Sequence, residues 1–447
     1  MITFEERVKA LLEEAKGNCS SAEVKGQLRR GKIMFVANGG HPDLQNYDVG
    51  EVALRVINDG KIGSAYGSLN TDPKEMVQSA LLSAKYGSKA DFEFTGNDVI
   101  DHENPAQIYD EECANLSPEW LAKEARRICD YVLEREKDIQ FNVQLDNEDR
   151  WVVYGNTNGR TGEYRRSRLT TFVQHMFEGS KEGIEKMEIS CKPFQMPDEK
   201  LDELIWERRA MKEKAKDVPT GPTEVLVLPT AAWSLVLRLT FGVDGGNIAR
   251  KLSPLTERKG EEIFNASVTI LEAPDRDWEP GSIPFDDEGV PTRPRPIVEK
   301  GVLKDFIFNR RAAARAETES TGNGIKRIMW GDGIEHGPAP YFTNLVMEAG
   351  STSIHELIEG MKDGIVVCDV IGFHSGNILA GHYSMGVGTG FRVVDGKPCG
   401  RVIDTMVSGN IYEDFKNIKA LSSETEPTLV GRVPAILFTG MQVSTKS

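Results

Sequence analysis

A loop with three consecutive acids is the first feature of this sequence that could do chemistry. It reads SIPFDDEGVPTRP, from Ser282 to Pro294, and contains Asp286, Asp287 and Glu288. Carboxylates bind cations and act as general acids or bases. Because adjacent acids point in different directions, we expect only one or two of them to face a common ion or substrate. The alternative, which the sequence slightly favours, is a structural turn that the flanking prolines hold rigid.

A second segment places two histidines close together in the sequence. It reads GFHSGNILAGHYSMG and contains His374, Asn377 and His382, with glycines between them. A bent pair of strands could bring the two imidazoles together, and converging imidazoles can bind a metal or transfer protons. The alternative is a polar turn, because no third ligand follows at a recognisable spacing. These three residues and the three acids of the first loop are our candidates for lining a cleft.

Two other patterns, HELIE and the cysteines, are better explained by structural roles than by metal binding or nucleophilic catalysis. The segment HELIE has half of an HExxH zinc motif but lacks the second histidine, and Ser353 and Glu356 match a helix capping box instead. The six cysteines include no CxxC pair, which is typical of reduced thiols rather than of disulfides or a zinc site.

The composition is that of an ordinary globular protein and restricts its partners. The chain has 447 residues and a formal net charge of −15, which argues against direct nucleic-acid binding. The first residues lack the pattern of a signal peptide, and no apolar run is long enough to cross a membrane. We therefore expect a cytoplasmic protein with no membrane contact.

Helix and strand patterns predict an α+β fold with two domains. The first, residues 1–217, is expected to be a sandwich-like α/β domain with an antiparallel sheet and helices, one of them from Asp198 to about Asp217. Asp59 and Gly60 predict a hairpin turn in it, and Asp72 followed by Pro73 predicts a helix start. The proline- and glycine-rich VPTGPTE marks the boundary. The second, residues 218–447, is expected to be a mostly antiparallel, β-rich domain with short helices near Arg311, Ser353 and Asn410.

Several segments together resemble one known family. In chain order they are PFDDEGVPT, IVEKGVLKDFIFNRRAAARA, STGNG, GFHSGN, SGNIYEDFKNI and VPAILFTGMQVS, and they are similar to segments of the TldD/PmbA family. The resemblance runs nearly from end to end. It implies a cytoplasmic, zinc-dependent peptidase built from two kinds of subunit and acting on small or unfolded peptides. Its members have been described as modulators of DNA gyrase.

The sequence departs from this family where the metal is expected. In the zinc-bearing kind of subunit, an HExxxH motif precedes a glycine-rich turn resembling GVDGG, and a cysteine near the C-terminus completes the site. Here the segment from Thr230 to Arg250, TAAWSLVLRLTFGVDGGNIAR, has no histidine, glutamate or cysteine, and ALSSETEPTLVGRVPAIL has no cysteine. The resemblance therefore assigns no catalytic residue, metal ligand or cofactor to this chain.

The match is to the PmbA-like, metal-free kind of subunit. The resemblance implies a dimer, either a homodimer or a heterodimer with a zinc-bearing TldD-like subunit, that takes part in proteolysis of a peptide substrate while this chain alone is inactive. Two alternatives stay open. One is a self-sufficient hydrolase that uses His374, His382 and the acids near Asp286, and the other is a protein that binds a peptide without cleaving it.

Overall fold

One antiparallel sheet and one larger, mostly antiparallel sheet, each packed against helices, organise the computed structural model. It describes residues 3–96, 100, 105–177, 183–328 and 331–446. The helices are α1 (Phe4–Lys16), α2 (Pro73–Tyr86), α3 (Glu111–Ala114), α4 (Pro118–Arg135), α5 (Asp198–Ala210), α6 (Pro229–Gly242), α7 (Gly245–Ala249), α8 (Arg310–Arg315), α9 (Ile354–Glu359) and α10 (Ile411–Asp414), followed by a 3-10 turn (Phe415–Asn417). The predicted α+β class is confirmed.

The first sheet has six strands, and every neighbouring pair is antiparallel. Its strands are β1 (Ser21–Ala37), β2 (Asp43–Asn58), β3 (Lys61–Ser68), β4 (Phe141–Asn156), β5 (Thr161–Met176) and β6 (Gly183–Ser190). Their order across the sheet is β3-β2-β1-β4-β5-β6. The predicted turn at Asp59 and Gly60 joins β2 to β3, and both residues have the positive φ that such a tight hairpin requires.

The second sheet is larger and mostly antiparallel. Its strands are β7 (Gly221–Val227), β8 (Ile270–Glu272), β9 (Arg295–Glu299), β10 (Val302–Leu303), β15 (Leu345–Met347), β16 (Asp363–Ile371), β17 (His382–Val394), β18 (Lys397–Arg401), β19 (Thr405–Asn410), β20 (Ile418–Pro427) and β21 (Gly431–Thr445). Two pairings, β7 with β16 and β15 with β21, are parallel. Two small hairpin-like pairs complete the strands: β11 (Gly324–Ile325) with β14 (Ala339–Pro340), and β12 (Arg327–Ile328) with β13 (Gly331–Asp332).

Local sequence signals place most helix starts correctly. The Asp72 side chain accepts hydrogen bonds from two amides of α2, whose first residue is Pro73. Ser353 and Glu356 form the expected capping box at the start of α9. The short helices predicted near Arg311, Ser353 and Asn410 correspond to α8, α9 and α10, so these predictions are confirmed.

The predicted extent of α5 is wrong at its C-terminal end. The helix stops at Ala210 rather than near Asp217. The chain beyond it pairs with the end of β18: the Ala215 amide donates to the Arg401 carbonyl at 2.9 Å, and the Arg401 amide donates to the Glu213 carbonyl at 2.7 Å. Strand-like hydrogen bonds to the second sheet thus replace the last helical turns. The division of the chain near residue 218 stays a prediction.

One hydrophobic core joins the two sheets. It contains buried side chains of α4, α5 and the first sheet together with residues of the second sheet such as Leu226, Val366 and Leu437. The Trp206 ring of α5 meets Phe391 of β17 edge to face at 5.6 Å. Because this contact area is apolar and continuous, we expect the two halves to keep a fixed relative position.

Helix α6 is buried on nearly all sides, within a second core formed mainly by the larger sheet. A helix of this kind has no polar face, so its sequence lacks the one-sided apolar pattern by which surface helices are recognised. The sequence pattern therefore did not indicate a helix here.

A buried carboxyl in the second sheet is expected to make stability depend on pH. Glu272 is 1% exposed, and burial raises its pKa to about 7 although Thr343 donates hydrogen bonds to it. An unfolded glutamate titrates near pH 4.3. Between these values the folded chain holds a proton that the unfolded chain has released, so the stability that Glu272 contributes is lost as the pH rises towards 7.

Between pH 5 and pH 8, we therefore expect the free energy of unfolding of the native chain to fall by about 2 kcal/mol more than that of Glu272→Gln. Urea denaturation at the two pH values measures this. The control is Glu299→Gln on the neighbouring strand, whose side chain is 52% exposed, and which should keep the native pH profile. An unchanged profile for Glu272→Gln would contradict the prediction.

Candidate functional site

The acidic loop folds around Asp286, whose two carboxylate oxygens accept hydrogen bonds from backbone amides. One oxygen accepts from the amides of Glu288 and Val290, both at 2.9 Å, and the other accepts from the amide of Gly324 at 2.7 Å. Burial, and then the charge of Glu288, raise the pKa of Asp286. This residue therefore shapes the loop and does not face solvent.

The next two acids reach across to the first sheet. Asp287 forms an ion pair with Lys25 of β1 at 2.5 Å, and Glu288 forms one with Arg55 of β2 at 2.8 Å. Arg55 also pairs with Glu23 at 2.6 Å, so one guanidinium lies between two buried carboxylates. Both ion pairs cross from the second sheet to the first, and the loop thus fastens the two sheets together.

A glycine allows this close approach. Gly289 has a φ of +69°, and a Cβ placed on it would lie 2.3 Å from the Tyr154 ring. The Tyr154 hydroxyl in turn donates to Glu23 at 3.0 Å. The glycine that follows the acids therefore lets the loop pack flat against the first sheet.

The histidine segment forms an exposed turn between β16 and β17. The His382 amide donates to the Asn377 carbonyl, and the Asn377 side chain accepts from the Ala380 amide at 3.2 Å. The ring of His374 packs on Phe373, whereas Nε2 of His382 lies 3.4 Å from the Asn410 side-chain nitrogen. Among the residues that the structure describes, the turn bonds to Arg238 and Asn410, whereas the acidic loop bonds to Lys25, Arg55 and Gly324. The structure thus does not bring the two groups of candidates into one cluster, and their role in a cleft stays a prediction.

A residue that sequence reasoning missed holds this turn in place. Arg238 of α6 is fully buried, and its guanidinium donates to the carbonyls of Phe373 at 2.8 Å, Ser375 at 3.0 Å and His382 at 3.0 Å. It also donates to the Ser234 carbonyl. Burial lowers its pKa to about 10. The signal in the sequence was a single charge within an otherwise apolar helix.

Helix α6 and the turn after it do not offer zinc ligands. The charged side chain of the helix is Arg238, a cation that is not a metal ligand, and Asp244 uses its carboxylate to cap α7 through the amides of Gly246 and Asn247. Across the part of the chain that the structure describes, no group of three or more His, Cys, Asp or Glu could hold a metal ion. The donor set therefore does not fit the zinc that the family resemblance implies.

A cleft of about 590 Å³ opens between the two sheets near the start of α6. Its lining includes Trp233 of α6, Glu185 of β6 and Asp369, which lies at a bulge of β16. Burial, and then the charge of Asp369, raise the pKa of Glu185. Bulges often turn a side chain towards a site. No sequence motif indicated this cleft, since its lining comes from α6, β6 and β16, which are distant from one another in the sequence.

The structure is thus that of a two-sheet α+β protein with a cleft between its sheets. Comparison with known proteins identifies the family to which it belongs. The PmbA/TldA metallopeptidase C-terminal domain matches residues 220–445. The chain therefore belongs to the TldD/PmbA family, as the sequence resemblance predicted.

Relatives of known name agree over most of the chain. It is 28% identical to the metalloprotease PmbA homolog of Haemophilus influenzae, covering 88% of this chain and 87% of that protein. It is 25% identical to metalloprotease PmbA of Escherichia coli O157:H7, covering 99% and 96%. The crystal structure of TldE from Thermococcus kodakarensis superposes with a TM-score of 0.87 at 19% identity, covering 98% of this chain and all of that one, which shows the fold.

Within the described residues, none of the helices combines the length and the apolar character needed to span a bilayer.

Proposed function

We propose that this chain is a PmbA-like subunit of a TldD/PmbA-type peptidase that handles small or unfolded peptides, has no zinc of its own and depends on a zinc-bearing partner in the cytoplasm. The observation that carries this proposal is the buried guanidinium of Arg238 in α6. A helix that places an arginine at its centre and surrounds it with backbone carbonyls is built to support a loop rather than to bind a cation.

The cleft between the sheets supports a role with peptides. It is concave and bounded by strands of both sheets, and its wall combines apolar side chains such as Phe172 and Trp233 with many polar and charged ones, which could bind the backbone and the charged groups of a peptide. We also propose that residues 1–217 and 218–447 are two domains and that the cleft lies where they meet.

The test is reconstitution with a zinc-bearing TldD-type relative. Cleavage of a fluorogenic peptide is measured for this chain alone, for the relative alone and for the mixture, and association is measured by light scattering. We expect the chain alone to be inactive and the mixture to form a complex that is more active than the relative alone. A mixture with a relative whose HExxxH histidines are replaced serves as the control and should be inactive.

Two results would contradict the proposal. Chelator-sensitive cleavage by this chain alone would mean that it has its own metal site. Tight binding of a peptide that is recovered intact, even with the relative present, would identify a binding protein instead.

A further inference from the structure

A second cavity between the sheets is strongly basic although the chain as a whole is acidic. It has a volume of about 320 Å³ and adjoins the larger cleft, with which it shares Arg168, Arg327 and Leu429. Seven lysine and arginine side chains line it, against two acids, Glu279 and Asp287. In a chain with a net charge of −15, this concentration of positive charge needs a physical explanation.

Four of the seven cations have partners that neutralise them. The ion pairs are Lys25 with Asp287 at 2.5 Å, Arg150 with Glu148 at 2.9 Å, Arg168 with Asp146 at 2.8 Å, and Arg432 with Glu279 at 3.1 Å. The other three are Arg166, Lys326 and Arg327. Among the residues that the structure describes, no carboxylate lies within 4.0 Å of their charged side-chain nitrogens, although Asp287 accepts from the backbone amide of Lys326 at 2.6 Å.

Neutral carbonyl groups hold these three cations in position. Arg166 donates to the Pro280 carbonyl, and its Nε is buried without an acceptor in the described part of the chain. Lys326 donates to the His336 carbonyl at 3.0 Å, and Arg327 to the Leu429 carbonyl at 3.1 Å. The side chains are thus fixed, and none of the three charges has a direct ion pair among the described residues.

Like charges in the cavity repel one another, whereas Glu148 acts in the opposite direction on Arg166, and Glu23 and Asp287 do so on Lys326. Burial, and then the Arg150 guanidinium, lower the pKa of Arg166, while burial followed by the Arg55 charge lowers that of Lys326 to about 8. Confined cations of this kind are unfavourable unless an anion lies beside them. Guanidinium groups in particular match the geometry of carboxylate and phosphate oxygens.

We propose that this cavity binds an oxyanion group of a small ligand, a carboxylate or a phosphate, through Arg166, Lys326 and Arg327. The next step rests on the proposed function, in which the ligand is a peptide. The cavity then receives the terminal carboxylate of the peptide, and the rest of the peptide extends into the adjoining cleft. The interaction of the carboxylate with these three cations then contributes the binding energy for that end of the peptide.

Isothermal titration calorimetry on the isolated chain tests the proposal, with trialanine, trialanine amide and inorganic phosphate as probes. The variants are Arg166→Gln and Arg327→Gln. Arg165→Gln is the matched control, because Arg165 precedes Arg166 on β5, is exposed and pairs with Asp149. We expect each cavity variant to bind the recognised probe roughly 10- to 100-fold more weakly than the control does.

The probes distinguish the source of the oxyanion. Binding of trialanine but not of its amide supports the site and assigns it to a peptide carboxylate, whereas arginine-dependent binding of phosphate alone supports the site and assigns it to a phosphate ligand. Thermal midpoints measured without a probe check that each variant folds. We expect neither cavity variant to be less stable than the control, because each loses a guanidinium group that has no direct ion pair among the described residues. Equal affinities in all variants, or no binding of any probe, would overturn the proposal. Because no partner or zinc is present, this result is independent of the reconstitution test.

Discussion

We expect Arg55→Leu to lower the free energy of unfolding by about 3–5 kcal/mol. Arg55 is the cation between the buried carboxylates of Glu23 and Glu288, which are 2% and 0% exposed. Without it, two carboxylates remain in one buried network next to Tyr154, with no guanidinium beside them. A buried charge that loses its partner keeps its full desolvation cost, which is why the effect is large.

The loss should also depend on pH. Burial already raises the pKa of Glu23, with the Arg55 charge opposing this effect, and removing Arg55 raises the pKa further. The folded variant then holds protons that the unfolded chain releases, so its stability falls as the pH rises. We therefore expect a larger loss at pH 8 than at pH 5 in urea denaturation.

A neighbouring arginine provides the control for Arg55. Arg30 of β1 pairs with Asp48 across the same two strands, but these side chains are 59% and 63% exposed. An exposed pair contributes little, and Arg30→Leu should cost at most about 1 kcal/mol. If both substitutions have the same small effect, the buried network does not fasten the sheets as we infer.

The second large effect is expected for Arg238→Ala, at about 3–4 kcal/mol. The substitution leaves a cavity in the core and removes the donors to the carbonyls of Phe373, Ser375 and His382. The loss is smaller than for Arg55 because the substitution also removes a buried cation that has no ion pair with a carboxylate of the described residues. Chemical denaturation measures the global change.

Hydrogen exchange shows whether the effect of Arg238 is local. Amides between residues 372 and 382 should exchange faster in Arg238→Ala, since this turn loses its anchor. The control is Arg250→Ala at the end of α7, where an exposed side chain bonds to the Gly246 carbonyl and to Asn247, and where we expect less than about 1 kcal/mol. Unchanged exchange in the turn would contradict the anchoring role.

Local sequence signals predicted much of the fold. The cap at Asp72, the hairpin at Asp59 and Gly60, and the capping box at Ser353 each depend on residues within a few positions of one another, so they can be read along the chain. The family could be recognised in the same way, because its segments are continuous. Helix α6 was missed since it is buried on all sides and has no polar face to reveal its period.

The candidate site could not be predicted in this way, because its charges are defined by partners distant in the sequence. The sequence showed that Asp286, Asp287 and Glu288 lie on a stiff loop. It did not show that Glu288 meets Arg55, 233 positions away. Ion pairing depends on separations of a few ångströms in space, and only the packing of one sheet on the other creates them. Within the described residues, the same packing leaves the guanidinium groups of Arg166 and Arg327 without a direct ion pair. Residue types are therefore read from the sequence, but ion pairing is a property of the folded chain.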